Sequence, residues 1–272
     1  MSIRADVLLV QSNMAPSREK AQALIMAGVV FADGKRIDKA GAAVSENAVI
    51  EIKDDPIPFV SRGGLKLKKA LEVFPITLEG KVAADIGAST GGFTDCMLQN
   101  GASKVYAIDV GYGQLDWSLR NDERVRVMER TNARFMEPGW FETLPEFASI
   151  DVSFISLRLI LPALYHCLTD GGEVVALIKP QFEAGRNEVG KNGVVRDAEV
   201  HETVCRRTVE FAGETGYDVL GLSYSPITGP KGNIEFLMHL KKNGQAAIIS
   251  DTIDVHGVVL QAHEGLKQKT NE

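Results

Sequence analysis

The apolar run KVAADI (81–86) breaks into GASTGGF, a turn of small residues, and the chain resumes in a helix-like segment, TDCML. Strand, glycine-rich turn and helix in that order open a sheet of parallel strands. Six more runs of the same kind follow: KVYAIDV (104–110), RVRVME (124–129), ASIDVSF (148–154), EVVALIK (173–179), DVLGLSYS (218–225) and IEFLMHL (234–240). Apolar runs, rather than strict period-two patterns, prevail among them, the pattern of strands buried on both faces, and helical stretches separate most of them. The last two are joined by PITGPKGN, too short for a crossover helix, which predicts an antiparallel final pair. The predicted fold class is α/β, built on a seven-stranded sheet.

Upstream of the sheet, Pro56 and Pro58 exclude a helix or central strand across Asp54 to Pro58. A linker, placed at 56–59, is therefore expected between a small domain (1–55) and a large one (60–245); residues 246–272 form a tail with a terminal helix expected across Ile253 to Leu266. The small domain reads as α+β. Helical segments are expected at Arg4 to Val10 and at Ser17 to Ala27, the second with Ser17 as its N-cap and Gly28 as its stop. A hairpin turn at Asp33-Gly34 and a strand at AVIEI (48–52) follow.

Charge gives this domain a candidate partner. The net charge of −6 argues against a chain coated in positive charge, yet Met1 to Ala70 holds eleven Lys and Arg against eight Asp and Glu. Arg4, Arg18, Lys20, Lys35, Arg36 and Arg62 are the cations placed to meet RNA, although the same residues would suit an ordinary solvated surface. The longest strongly apolar stretch, LRLILPALYHCL (157–168), is well short of the roughly 20 residues that span a bilayer. The N-terminal MSIRADVLLVQSNM lacks a signal's apolar segment, and Cys96, Cys167 and Cys205 are too scattered for a disulfide framework or a zinc site. A reduced, cytoplasmic, monomeric protein without a metal site or stable membrane association is expected.

In a doubly wound sheet the ligand sits at the carboxyl ends of the strands, and the glycine-rich turn lies there. Its spacing is G-x-x-x-G-G with Asp85 ahead of it, unlike the G-x-G-x-x-G of a dinucleotide site. An acid at the end of the first strand suits an ammonium group, and amide N–H groups at the following helix start suit a carboxylate. Asp109, ending the second strand, can accept both hydroxyls of a ribose, and Asn132 is a candidate either for an adenine edge or for a helix cap. S-adenosylmethionine presents that combination, so Asp85, Gly87, Ala88, Ser89, Thr90, Gly91, Gly92, Phe93, Thr94, Asp109 and Asn132 form the predicted cofactor set. Four further ionisable residues lie in or beside apolar strands or at the start of the large domain: Lys66, Asp151, Lys179 and Glu235. Burying them is costly unless they are paired. Two lysines and two carboxylates would neutralise one another, the like charge of Lys66 would depress the Lys179 pKa, and a neutral lysine amine could take the proton of a ribose 2′-hydroxyl. The segment Pro180 to Asp197, with Arg186, Lys191 and Arg196, reads as a substrate-clamping loop or as a mobile surface loop.

Two resemblances sharpen these readings. Arg4-x-Asp6 followed by Ser17, Arg18, Ala21, Ile25, Gly28, Val30, Gly34 and Lys35 in register resembles the small RNA-binding module shared by ribosomal protein S-four, pseudouridine synthases and tyrosyl-tRNA synthetases; Ala32-Asp33 departs from the usual Val-Asn. The large domain, with SRxxxKL, DIGxxxGGFT and the later Asp, Lys and Glu, resembles the FtsJ-type ribose 2′-O-methyltransferases of class I (Rossmann-like) fold. The two modules together resemble the TlyA family. That resemblance implies 2′-O-methylation of cytidine in small- or large-subunit ribosomal RNA, with Lys179 as base, Lys66 and Glu235 positioning the hydroxyl, and Asp151 orienting lysine and cofactor. Rival readings are a base methyltransferase, a non-catalytic ribosome-assembly factor, and the haemolysin that the family is also named for. The first is disfavoured because Lys179-Pro180-Gln181-Phe182 puts a lysine where an amine-methylating enzyme needs a hydrogen-bond acceptor. For the last, no amphipathic or spanning segment is seen.

Overall fold

Contacts divide the chain between Arg62 and Gly63. The computed structural model describes residues 2–26, 28–37, 39–52, 57–185, 187–244 and 247–268; Ala27, Asp54, Asp55, Pro56, Arg186 and Ala246, which belong to segments discussed above, lie outside the described residues.

The first unit runs β1 (Ser2–Arg4), α1 (Ala5–Gln11), α2 (Arg18–Met26), β2 (Val30–Ala32), β3 (Lys35–Arg36), β4 (Ala43–Ser45) and β5 (Ile50–Ile52). Strand β1 pairs with β4, and β3-β2-β5 form a three-stranded sheet. Ser17 caps α2, its Oγ accepting the Lys20 N–H at 3.2 Å. Asp33 and Gly34 carry φ of +50° and +75°, the pair of left-handed residues that a tight hairpin needs and that Asp-Gly tolerates. Leu8, Leu9, Ala21, Ile25, Val30 and Ile37 make the core between helices and sheet. Strands β1 and β4, three residues each, are too short for alternation to reveal, and the helix expected from Arg4 begins at Ala5.

The second unit runs α3 (Gly64–Val73), β6 (Val82–Ile86), α4 (Gly92–Gln99), β7 (Lys104–Ile108), α5 (Trp117–Arg120), β8 (Val125–Met128), β9 (Phe147–Ile150), α6 (Leu161–Cys167), β10 (Glu173–Ile178), α7 (Pro180–Glu183), α8 (Ala198–Glu214), β11 (Tyr217–Tyr224), β12 (Phe236–Lys242) and α9 (Val255–Gln268). The sheet order is β11-β12-β10-β9-β6-β7-β8. β12 is antiparallel to both β10 and β11, and the remaining pairs are parallel. The core residues Tyr106, Phe147, Ile150, Phe236 and Met238 are fully or almost fully buried, each large apolar side chain contributing about 1.5–3 kcal/mol by leaving water.

After β6 the chain builds outward through β7 and β8, then crosses back to lay β9 on the other side of β6. The crevice at such a reversal is where open α/β sheets bind ligands. Asp109, Asp151, Lys179 and Glu235 each lie one residue beyond the strand that carries them, since β7, β9 and β10 end at Ile108, Ile150 and Ile178 and β12 begins at Phe236. The expected strand 148–154 stops at Ile150, and Phe154 turns the chain with φ of +65°.

Candidate active site

Lys66 reaches the sheet from α3, whose inner face buries Gly64, Lys66, Leu67 and Ala70. That helical spacing places a lysine among apolar residues, 7% exposed, where it needs partners. It has two carboxylates: its Nζ lies 2.7 Å from Glu235 Oε2 and 3.1 Å from Asp151 Oδ2. Asp151 in turn meets Lys179, Nζ to Oδ1 2.5 Å, and Lys179 Nζ donates to Ser153 Oγ at 3.2 Å. The four residues form a chain of alternating charge, Lys179–Asp151–Lys66–Glu235. Burial acts most strongly on Lys66, against its charge, but Asp151 and Glu235 outweigh it and raise its pKa. Burial likewise works against the Asp151 carboxylate, and the two lysines more than reverse it, holding its pKa below the ordinary value. Glu235 has no exposed surface. A Cβ at Gly229 would stand 2.1 Å from Glu235 Oε1, so only glycine fits over that oxygen.

Beside this chain opens a cleft of about 430 Å³, within the range of roughly 300–1,000 Å³ usual for small-molecule sites. Gly87, Ser89, Asp109, Asn132 and Asp151 line it, with Ile108, Ile155 and Ile160 supplying apolar wall. Gly87 lets β6 and β9 close at this point: its φ is +87°, and a Cβ would meet the Asp151 carbonyl oxygen at 2.7 Å. The Asp109 carboxylate accepts the Ser89 N–H at 2.8 Å and the Gly111 N–H at 2.6 Å, fixing its rotamer beside the turn. Asn132 caps the turn Ala133–Phe135, its Oδ1 accepting the Arg134 N–H at 3.1 Å, while also lining the cleft. A carboxylate for a diol, an amide for a purine edge and an apolar wall suit an adenosine group.

Of the eleven predicted cofactor residues, these four (Gly87, Ser89, Asp109 and Asn132) form cleft wall. Asp85 is the principal correction. Expected to meet an ammonium group, it is instead fully buried, and its Oδ2 accepts the Thr94 N–H at 2.9 Å and the Thr94 hydroxyl at 2.7 Å, while Ser149 donates to Oδ1 at 3.2 Å. It clamps the first turn of α4 to the sheet, and burial pushes its carboxyl up to about 7. Thr94 serves that clamp, and Phe93 is buried in the core. Gly91, with φ of +96°, lies against Leu119 and Leu115 and gives the turn its shape, and Gly92 is buried at the start of α4; Thr90 is exposed, and Ala88 lines a smaller pocket with Asp109.

Sequence reasoning missed three residues here. Gln114 lines the cleft beside Asp109, with no motif to mark it. Phe154 is 90% exposed at the cleft and 5.1 Å from the Phe182 ring. Left-handed backbone is costly for a bulky residue and concentrates at functional sites. Asp6, seen only as part of a motif, organises the first unit's cations. It accepts Arg4 Nε at 3.0 Å and Nη2 at 2.9 Å, Arg18 Nη2 at 3.1 Å and Gln22 Nε2 at 2.9 Å. The Arg4 bonds first, then Gln22 and Arg18, hold its carboxyl well below the usual range against burial. Arg4 and Arg18 are thus oriented by Asp6 and still about half exposed; Lys20, Lys35, Arg36 and Arg62 are exposed.

The three cysteines are free and buried. Among the described residues no cluster could hold a metal ion, and no helix is long and apolar enough to cross a membrane.

Comparison with known proteins matches residues 59–242 to the FtsJ-like methyltransferase family and residues 3–50 to the S4 domain. The chain is 44% identical over 246 residues to the 16S/23S rRNA (cytidine-2′-O)-methyltransferase TlyA of Mycobacterium tuberculosis, covering 90% of this chain and 92% of that protein. It is 42% identical over 238 residues to hemolysin A of Brachyspira hyodysenteriae, covering 87% and 99%. A solved structure of a candidate hemolysin from Streptococcus thermophilus superposes with a TM-score of 0.81 at 51% identity, covering 100% of this chain and 99% of that one.

Proposed function

Because the chain belongs to the FtsJ-like methyltransferase family and carries an S4 domain ahead of the enzyme fold, we propose that it methylates the ribose 2′-hydroxyl of cytidine in small- or large-subunit ribosomal RNA. The observation that carries this reading is the buried alternating chain of Lys179, Asp151, Lys66 and Glu235 at the edge of an adenosine-sized cleft.

S-adenosylmethionine supplies an electrophilic methyl group on a sulfonium sulfur. Asp109 would hold its ribose, Asn132 its adenine edge, and the Gly87–Ser89 turn its methionine end. Lys66, gripped by two carboxylates, is locked in its charged form. Among the described residues Lys179 shares one carboxylate and otherwise meets the Ser153 hydroxyl; it is the base. Its amine would take the 2′-hydroxyl proton as that oxygen turns nucleophilic, and Asp151 would stabilise the ammonium produced. Lys66 fixes Asp151 and can donate to the 2′-oxygen, and Glu235 fixes Lys66.

Phe154 gives the target nucleotide a place. A base inside a helix keeps its 2′-hydroxyl out of a recessed site, whereas a base turned out can stack on an exposed aromatic ring. Residues 1–55 would grip the RNA backbone through the arginines that Asp6 orients, 56–59 would link and 60–245 would catalyse; the segment expected as a tail instead packs α9 into the core of the same unit through Val255, Val259 and Ala262. The chain would act as a monomer in the cytoplasm, where ribosomal subunits are its substrates.

The test is transfer of labelled methyl to unmodified small subunits, large subunits and free transfer RNA by the protein and its Lys179→Ala variant. Alkali cleaves through a free 2′-hydroxyl, so label in ribosomal RNA on an alkali-resistant linkage, lost in the variant, supports the reading. Label on alkali-sensitive nucleotides, or none on any RNA with cofactor bound, overturns it.

A further inference from the structure

Two segments meet at the lysine base, and they are tied together at three points. Asp151 and Ser153 meet Lys179 directly. Phe154 packs on Phe182, one turn beyond the lysine. The third tie is Glu183, the last residue of α7, a carboxylate that the catalytic chain does not use. Its Oε2 accepts the Ser156 hydroxyl at 2.6 Å and its Oε1 accepts the Leu157 N–H at 2.7 Å.

These bonds do more than start the 3-10 turn at Leu157–Leu159. That turn already has a cap, since Ser156 Oγ accepts the Arg158 N–H at 3.1 Å. Between the ties lies Phe154, in left-handed backbone and with most of its ring in solvent. Such a residue tends to relax toward extended backbone unless its flanks are pinned. Asp151 and Ser153 pin one flank through Lys179, and Ser156 and Leu157 pin the other through Glu183.

We infer that Glu183 is a positioning residue that holds the Val152–Ser156 turn, and with it Phe154, in the strained conformation that presents the aromatic ring beside Lys179. Glu183 touches neither the reacting oxygen nor the methyl donor. It acts through Phe154, and its effect on turnover rests on the ribose-methylating reading above. Burial raises the Glu183 pKa above the ordinary value, but its bonds to Ser156 and Leu157 oppose that rise, in keeping with a carboxylate acting as a double acceptor.

The test uses Glu183→Met, which keeps the length but removes both acceptor oxygens, so that both bonds are lost. Hydrogen exchange of the peptide spanning 152–158 reads the tie directly, whatever the substrate. Exchange is expected to accelerate at least roughly tenfold in Glu183→Met, with Ser156→Ala intermediate. Turnover on ribosomal subunits is expected to fall roughly tenfold, with cofactor affinity unchanged within about twofold. In a Phe154→Ala background the same substitution should cost less than about twofold, because the residue it positions is gone. Unchanged exchange overturns the inference, as does an equal loss of turnover in both backgrounds, which would mark Glu183 as generally structural. If the unsubstituted protein methylates no RNA, the functional reading fails, and the exchange result still decides the tie.

Discussion

Replacing Lys66 with methionine keeps most of the stem and deletes the charge on which two carboxylates depend. Among the described residues Lys66 is the cation paired with Glu235, at 2.7 Å, and Glu235 has no access to water. Asp151 keeps Lys179, so the loss falls mainly on Glu235. Removing one partner of a buried ion pair costs about 3–5 kcal/mol, because the orphaned charge stays in an apolar setting. At an m-value of about 2–3 kcal/mol/M, the urea midpoint should drop by roughly 1–2 M. The chain's two tryptophans, Trp117 and Trp140, both lie in the second unit, so their fluorescence follows this transition. The double variant Lys66→Met with Glu235→Gln removes the orphaned charge and should recover at least half of the loss. A Lys66→Met midpoint within about 0.3 M of the unsubstituted protein, or a double variant no more stable than the single one, would refute the claim that Glu235 is a buried charge held by Lys66.

Other perturbations probe other parts of the site. Lys179→Arg keeps a cation beside Asp151 that cannot give up its proton; methyl transfer should fall by roughly 10²–10⁴ while calorimetric cofactor affinity holds, and activity near that of the unsubstituted protein would exclude Lys179 as base. Burial holds Asp85 near 7 in the folded chain, against about 3.9 when unfolded, so between those values the folded state binds the extra proton. Its contribution to stability is full below about 4 and is lost as pH rises through 7. The stability difference between the unsubstituted protein and Asp85→Asn should therefore move against the former across that window in urea titrations, and a constant difference would contradict the assignment. Arg4→Ala should weaken RNA binding and lower the slope of log affinity against log salt by about 0.7–0.9, the value of one phosphate contact; an unchanged slope would remove Arg4 from the interface.

The strand ends were the legible part of this chain. Apolar blocks located all seven strands, and ionisable residues beside those blocks marked Asp151, Lys179 and Glu235, because burial makes such residues conspicuous. Side-chain direction was not legible. In a strand covered on both faces every position of β6 from Ala83 to Ile86 is buried, so nothing in the pattern tells whether Asp85 faces the cleft or the helix behind it. Helix α3 was missed because its short stretch, GLKLKKALEV, mixes cations into the face that packs inward, and only a partner elsewhere in the chain makes that face stable. Phe154 and Glu183 were hidden for a related reason. An exposed ring and a half-buried acid look ordinary in sequence, and their meaning lies in a φ of +65° and in bonds to residues 26 and 27 positions away.

Nucleoside mass spectrometry of ribosomal RNA, after reaction with S-adenosylmethionine and digestion to single nucleosides, separates methylation of the ribose from methylation of the base. 2′-O-methylcytidine is expected from the unsubstituted protein, and none from Lys179→Arg under conditions where both bind the cofactor equally. Cytidine methylated on its base, or 2′-O-methylcytidine formed equally well by Lys179→Arg, would contradict that expectation.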